Sequence, residues 1–113
     1  MATTTDITNR VYKDVGKTEQ TLVTLASNQK GAGVGLSLAN KTAGSVTASV
    51  YVTDGSGTKG YYIKEILIGP NSAARLINGG EKLLLASNNS VSVVCDANNA
   101  LDVIFSLVIL TTT

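Results

Sequence analysis

The residues of this sequence that could do chemistry are few, and the loop at 54–58 holds the densest set of them. Asp54, Ser56 and Thr58 place side-chain oxygens at alternate positions, as a calcium-binding loop does. The closing bidentate glutamate is missing, and Lys59 stands at the sixth position, where a calcium loop needs glycine. Because glycines alternate with the oxygen-bearing residues, the pattern favours a flexible β-hairpin loop.

Other groups that could catalyse or bind are isolated in the sequence. There is no histidine, and the single cysteine, Cys95, excludes an internal disulfide and is interpreted as a small core residue. Asp96 and Asp102 are assigned structural roles, because no carboxylates are paired at a spacing suited to acid–base catalysis. The glycine-rich segment 30–35 is similar to a phosphate-binding loop, but a strand follows it instead of a helix. We therefore expect no enzyme, no metal site and no cofactor.

Three tyrosines surround the 54–60 loop, namely Tyr51, Tyr61 and Tyr62. Tyrosine combines an apolar ring with a polar tip, which favours it at interfaces. Two interpretations stay open: a surface patch for carbohydrate or subunit contact, and ordinary cross-strand tyrosine pairing. The sequence contains no tryptophan, which weighs against a sugar-binding platform.

Length and composition indicate a single domain of 113 residues. Charged residues make up 15% of the chain, against roughly 25% in ordinary soluble proteins, so the surface is neutral and suited to packing against other protein. The net charge is +1 and the basic residues are scattered, which argues against a nucleic-acid partner. No apolar run reaches the length of a membrane helix or a signal peptide, so we expect neither.

Turn residues recur about every eight to twelve positions, as in β-sandwiches. In the segment 32–39, Val34, Leu36 and Leu38 are expected on the buried face, and the glycines opposite them predict a bulge or a close approach. The clearest alternation is at 45–53, and Tyr61–Ile68 is expected to pair with it.

The segment from Ile63 to Val94 is predicted to hold several short strands, separated by breaks at 69–72, 78–80 and 87–90. The last strand, Leu101–Leu110, is apolar on both faces, which predicts that both are covered. No helix is predicted. The fold class is therefore all-β: an antiparallel β-sandwich, jelly-roll-like, with about eight strands.

Residues 1–9 are polar and rich in threonine, and they are predicted to be an N-terminal arm. A single β-sandwich domain over 10–113 would follow, with its first strand beginning at Arg10. Polar termini are usually loose unless docked, so the arm is expected to dock on a neighbour. The residues expected at subunit contacts are Thr3, Thr4, Thr5, Asp6 and Ile7 of the arm and Ile104, Val108 and Leu110 of the last strand.

The order of features after Tyr61 carries a family resemblance. It is a strand, Gly69-Pro70-Asn71-Ser72, a short strand, Asn78-Gly79-Gly80, Glu81–Leu85, a polar turn, Val91–Val94, an Asx-rich gap and a final apolar strand ending at Leu110. Together with the opening segment Arg10–Gly16, this order resembles small virion structural proteins of tailed bacteriophages, especially phages of marine cyanobacteria.

The resemblance implies a β-sandwich without catalytic residues that assembles on capsids or tails, often as a trimer. The implied partners are itself, as a homotrimer, and the major capsid protein or other virion proteins, without nucleic acid or membrane. The implied location is the virion, after synthesis in the host cytoplasm. A capsid decoration (cement) protein is the leading expectation. A tail, neck or baseplate component and a virion-displayed carbohydrate-binding module are the alternatives.

Overall fold

The structure is a computed structural model that describes residues 2–113, with the backbone alone at 78–80. Over this range the chain forms eight strands. They are β1 (Thr3–Val15), β2 (Gln20–Thr24), β3 (Gln29–Asn40), β4 (Val46–Thr53), β5 (Lys59–Ile68), β6 (Ala73–Leu85), β7 (Ser90–Cys95) and β8 (Leu101–Thr112).

The strands form two antiparallel sheets of four. The first sheet has the order β1-β8-β3-β6, and the second has the order β2-β7-β4-β5. All connections except the β4–β5 hairpin pass from one sheet to the other, so the two sheets wrap together as a jelly roll. The predicted antiparallel β-sandwich with about eight strands is confirmed.

The core lies between the inner faces of the two sheets. Strand β8 shows why: from Leu101 to Ile109 its odd-numbered residues are buried and its even-numbered residues are not, as a period of two requires. Each fully buried aliphatic or aromatic side chain contributes about 1.5–3 kcal/mol. The largest side chains of this core are Phe105, Leu22, Leu25, Leu36, Leu38, Leu101 and Leu107.

Strand β1 begins earlier than predicted. Thr3 pairs with Thr112, and the ladder with β8 continues without a break to Tyr12. Threonine is β-branched and polar, which suits a strand that is mostly exposed. The strand start predicted at Arg10 is therefore wrong. Docking of residues 1–9 on another subunit stays a prediction, and Met1 lies outside the described residues.

Strand β6 is a single strand where the sequence predicted two. The predicted break at 78–80 falls on residues whose side chains are outside the description. Gly33 of β3 pairs with Leu83, whereas Gly35 pairs with Asn78, so the ladder shifts register there. The interruption is thus a register shift within one strand, because both halves of β6 keep β3 as their neighbour.

Strand β3 contains the predicted bulge, and the bulge corrects one side-chain assignment. Leu36 and Leu38 are buried as expected, but Val34 is 36% exposed. The ladder with β8 shifts register after Gly33, which reverses the alternation of side chains. A Cβ atom at Gly33 would lie 2.6 Å from a ring carbon of Phe105. Gly33 therefore takes the inward position because the phenyl ring already fills that space.

Asn40, at the end of β3, is a buried polar residue that sequence analysis did not single out. Its Nδ2 donates hydrogen bonds to the carbonyls of Gly44, Gly69 and Ile68 at 2.9, 3.0 and 3.1 Å. Its Oδ1 accepts from the backbone N–H of Thr42 at 2.9 Å and from the hydroxyl at 2.8 Å. This side chain ties the β3–β4 turn to the end of β5 and fixes one end of the sandwich.

Candidate interaction face

The loop considered for calcium is held in its own hydrogen bonds. Asp54 Oδ1 accepts from the N–H groups of Thr58 and Ser56 at 2.9 and 3.0 Å and from the Ser56 hydroxyl at 2.9 Å. These bonds, the one from Thr58 foremost, hold the pKa of the Asp54 carboxyl below its ordinary value. The loop joins β4 to β5 and contains Gly57 at φ 90°, so the hairpin interpretation is confirmed.

The remaining groups considered for chemistry also have structural contacts. Burial raises the pKa of the Cys95 thiol, which disfavours the reactive thiolate. Asp96 Oδ1 accepts from the N–H of Thr47 at 2.9 Å, and this bond lowers the pKa of Asp96. Within residues 2–113 no three His, Cys, Asp or Glu residues are grouped to hold a metal ion. The same part of the chain has no helix of the length and apolarity that a membrane span needs.

Two of the three tyrosines lie together on the outer face of the second sheet. Tyr51 and Tyr61 are cross-strand partners, with ring centroids 5.7 Å apart and planes at 70°. Lys59 Nζ lies 4.1 Å from the Tyr51 centroid, and Lys64 Nζ lies 5.2 Å from that of Tyr61. Tyr51 is only 4% exposed, so the pair and its lysines cover one another. Cross-strand pairing is present, and a binding role for the pair stays a prediction.

Tyr62 is separated from this pair. It lies at the edge of the core, and its hydroxyl donates to the carbonyl of Leu76 at 3.1 Å. Burial, followed by the Glu81 carboxylate, raises the pKa of its phenol. The structure therefore does not bring all three tyrosines into one patch.

The outward side chains of the first sheet form an apolar row that crosses all four strands. Ile7 of β1 lies opposite Val108 of β8, Val108 lies opposite Ala32 of β3, and Ala32 lies opposite Leu84 of β6. Residues in register on neighbouring strands point to the same side, and four strands span about 14 Å. Ile7 is 82% exposed and Leu84 is 77% exposed. We call these four residues the apolar row.

Further apolar side chains flank the row along the strands. Among the described residues, six of the eight exposed large hydrophobic side chains belong to this sheet, so the apolar exposure is concentrated on one side of the molecule. The space between β3, β6 and β8 forms a groove of about 460 Å³. The apolar face is defined by the row together with Val11, Ile104 and Leu110.

Charged groups lie at the two ends of the apolar face. At one end, Lys41 Nζ donates to Asp102 Oδ1 at 2.9 Å and also to Asp14. Lys41 lowers the pKa of Asp14, and the two aspartates raise that of Lys41. At the other end, Lys30 lies opposite Leu110. The apolar row itself is uncharged, as the cores of protein interfaces usually are, whereas Arg75 of β6 lies at the level of Ile104.

The apolar face contains part of the contact set predicted from sequence. Alternation turns Thr4 and Asp6 to the other side of β1. Sequence analysis missed Val11 and Leu84. Val11 lies four residues after Ile7 on the same strand, so it faces the same side. In the run Leu83–Leu85, alternation turns at least one leucine outward. Both residues could therefore have been found from the sequence. The predicted residues that share the outward side are Thr3, Thr5, Ile7, Ile104, Val108 and Leu110.

No protein-family model and no curated protein sequence matches this chain. Several solved structures share its fold. A protein of the Bacillus endospore appendages, a family of disulfide-linked pili, is 16% identical over 97% of this chain and 88% of its own, with a TM-score of 0.57. A chain of the T13 particle of infectious bursal disease virus is 9% identical over 97% of this chain and 31% of its own, also with a TM-score of 0.57.

A third structure is a chain from the virus-like particle of the extra small virus of the giant freshwater prawn Macrobrachium rosenbergii. That chain is 10% identical over all of this chain and 82% of its own, with a TM-score of 0.52. At these identities the similarity establishes the fold alone. The chain therefore has a β-sandwich of the kind found in viral structural proteins, and tailed bacteriophages are not singled out among them.

Proposed function

We propose that this chain is a non-enzymatic structural protein of a virion, and that it serves as a capsid decoration (cement) protein. The observation that carries the proposal is the apolar face, which crosses all four strands of the first sheet. Monomeric proteins seldom leave so many large apolar side chains of one sheet open to water, and such surfaces often mark sites of protein–protein interaction. Covering it in an assembly stabilises the assembled state, since whatever binds the folded chain shifts the equilibrium towards it.

The lack of a plausible reaction centre supports a structural role. In the described part of the chain, the candidate carboxylates of Asp54, Asp96 and Asp102 are used in turns or ion pairs. Cys95 is buried and has its pKa raised. Acyl transfer and hydrolysis need a nucleophile within reach of a base, or a metal, and these side chains offer neither.

The shared fold supports the virion setting, because two of the similar structures are a viral particle and a virus-like particle. The proposed partners are the major capsid protein, or other virion proteins, and further copies of this chain. The homotrimer and the cyanophage-type origin that the resemblance implies stay predictions. A tail, neck or baseplate location is the second candidate, since the same apolar face would serve there equally.

A virion-displayed sugar-binding module is the third candidate, and one observation favours it. Tyr61 is 49% exposed with Lys64 beside its ring, and an exposed aromatic ring can stack on a sugar. Against it, Lys59 covers Tyr51 and Tyr62 lies elsewhere. A glycan array decides this candidate: binding that Tyr61→Ala abolishes would support it, and no bound glycan would remove it.

Mass spectrometry of purified particles from the source that encodes this chain tests the proposal directly. We expect the chain at a fixed copy number relative to the major shell protein. Immunogold labelling then separates the shell from the tail. Particles prepared without the chain are expected to lose their genome at a lower temperature. Adding the purified chain back should return the release temperature to that of complete particles. Absence of the chain from purified particles would contradict the proposed function.

A further inference from the structure

We propose that a second copy of this chain covers the apolar face, packed face to face about a two-fold axis that runs roughly parallel to β8. This inference rests on the proposed function only in taking the chain to be an assembly subunit. It makes a pair the unit of assembly, in place of the trimer expected from the resemblance. A two-fold contact uses the same surface on both copies, so the face must be complementary to itself.

The area of the face fits a pair of chains. Ile7, Leu84, Val11, Ile104 and Leu110 are exposed by 82, 77, 64, 46 and 41%. Together these residues expose roughly 600 Å², close to the 800 Å² or so that each partner buries in a stable interface of standard size. The half-buried Val108 and the small residues between the strands add to that area. A single bound peptide strand would cover only part of this width.

Side-chain size along the apolar row is greatest at the two edge strands, where Ile7 on β1 and Leu84 on β6 are exposed. The smaller residues of the row, Val108 and Ala32, lie on the two central strands. Two sheets related by an axis parallel to their strands have the same twist and stay at a similar distance from one another across the contact. A face-to-face contact can therefore bury the row over its whole width.

An axis parallel to β8 exchanges β1 with β6, and β8 with β3, between the two copies. Ile7 then contacts Leu84 of the second copy, and Val108 lies over Ala32 of the second copy. Each residue keeps its own level along the strands, so the apolar row covers itself. An axis across the strands at the level of the row would instead place each row residue over the same residue of the second copy, with Ile7 over Ile7. The axis parallel to β8 brings Val11 to the level of Arg75 of the second copy. Arg75 lies on the edge strand β6, so its charge is at the rim of the contact and the row remains apolar.

The charges at the end of the face are complementary under the same operation. Asp102 begins β8 next to Leu101, and Lys41 directly follows the end of β3. Because β8 and β3 exchange places, Asp102 of one copy approaches Lys41 of the other, while Asp14 remains beside its own Lys41. Lys30, at the opposite end, can extend its ammonium into solvent along the edge of the contact. The net charge of +1 gives little repulsion between copies.

Sedimentation equilibrium of the full chain tests the pair. We expect a monomer–dimer equilibrium for the unmodified chain between 1 and about 100 μM, and a dissociation constant at least about tenfold weaker for Leu84→Lys. Leu67→Lys is the matched control, because Leu67 is the same residue type at 68% exposure but lies on β5 of the second sheet. A monomer at all concentrations, a trimer, or equal weakening by both variants would overturn the proposal.

Cross-linking tests the position of the axis independently of affinity. Ile7→Cys and Leu84→Cys chains are prepared in a Cys95→Ala background and mixed in the presence of a short bifunctional maleimide. Cross-linked pairs are expected in the mixture and much less with either variant alone, because the axis brings Ile7 to Leu84 and separates like residues. Equal cross-linking of Ile7→Cys with itself would overturn the assigned axis.

The failure of this inference is distinguishable from failure of the proposed function. A chain that is present in virions but monomeric in sedimentation removes the pair and leaves the virion role. A chain that forms the pair but is absent from virions removes the virion role and leaves the pair.

Discussion

The two outer faces of this sandwich differ in how they are covered. On the first sheet, the apolar row leaves large side chains such as Ile7 and Leu84 open to solvent. On the second sheet, Tyr51 is 4% exposed although it points away from the core, because Tyr61 and Lys59 lie against it. The Tyr51 ring on the second face is therefore covered within a single chain, whereas the apolar row of the first face is not.

The difference follows from which side chains the strands place outward. Row neighbours of Tyr51 on the second sheet are Ser92 and Thr21, whose hydroxyls are 3.4 Å apart. Such polar groups bond to one another and to water, so this face has little to gain from a partner. The row on the first sheet has only aliphatic groups, which gain free energy when water is removed. Self-association is expected through the first face.

The largest effect that tests this contrast lies within β8 itself. Phe105→Ala removes a side chain that is 0% exposed between the sheets, and is expected to lower the free energy of unfolding by about 3–5 kcal/mol through the cavity it leaves. Ile104→Ala, on the next residue and the outer side, is expected to cost less than about 1 kcal/mol in the monomer. Urea unfolding at low protein concentration measures both.

The control for this pair is protein concentration. At high concentration Ile104→Ala should lose additional stability relative to the unmodified chain, since the outer side of β8 is then covered by another copy. A large monomer cost for Ile104→Ala would mean that the first face supports the fold of the single chain, and the contrast between the two faces would be lost.

A smaller effect is expected at the bulge that sets the register of the first face. Gly33→Ala places a Cβ 2.6 Å from the buried ring of Phe105, and overpacking of this kind costs about 1–3 kcal/mol. Gly35→Ala is the matched control, because its Cβ would lie 3.5 Å from the Cβ of Ser106, an ordinary contact. Thermal unfolding compares them. Equal melting temperatures would show that the ring can move and that Gly33 is not required.

Much of the fold follows from local pattern, and the departures have physical causes. The alternation of β4 and the apolar character of β8 predict their positions correctly. The start of β1 was missed because a threonine-rich segment has no apolar face of its own and is a strand only through its pairing with β8. Asn-Gly-Gly suggested a break between two strands, since it is typical of tight turns. Only the pairing with β3 reveals that β6 continues.

The candidate site was predicted in part for a similar reason. Ile7 stands out because it is apolar between polar neighbours, and Val108 because its strand is apolar on both faces. These two residues form one row with Ala32 and Leu84 only because the strand order is β1-β8-β3-β6, and a local sequence pattern cannot predict that order. Tyr51, Tyr61 and Tyr62 flank one loop in the sequence, and alternation along β5 places the last two on opposite sides of the sheet. Proximity in sequence therefore suggested a tyrosine patch that the fold does not form. The residues of the apolar row are far apart in sequence, so proximity could not reveal them.

On the second face, Lys59→Ala tests whether the Lys59 side chain shields the Tyr51 ring from solvent. The ammonium lies 4.1 Å from the ring centroid, and an exposed cation–π contact contributes about 0.5–1 kcal/mol. We expect a loss of stability within that range and greater quenching of tyrosine fluorescence by acrylamide, without change in sedimentation. Lys64→Ala, 5.2 Å from Tyr61, should have a smaller effect. A change in self-association by Lys59→Ala would mean that the second face also binds a partner.

The smallest effect on stability is expected from acid. It tests a loop contact of the second sheet that belongs to neither outer face. The N–H of Thr47 on β4 donates to Asp96 and lowers the pKa of its carboxyl below the ordinary 3.8. A lowered pKa in the folded chain means that the ionised form contributes stability above pH 3.8, and that this contribution is lost as the pH falls through the folded value. Asp96→Asn keeps an acceptor oxygen for Thr47 but cannot titrate. Urea midpoints should therefore differ between the unmodified chain and Asp96→Asn at pH 6 and converge at pH 2.5. A constant difference across this range would show that the Asp96 charge does not support the β4 end of the second sheet.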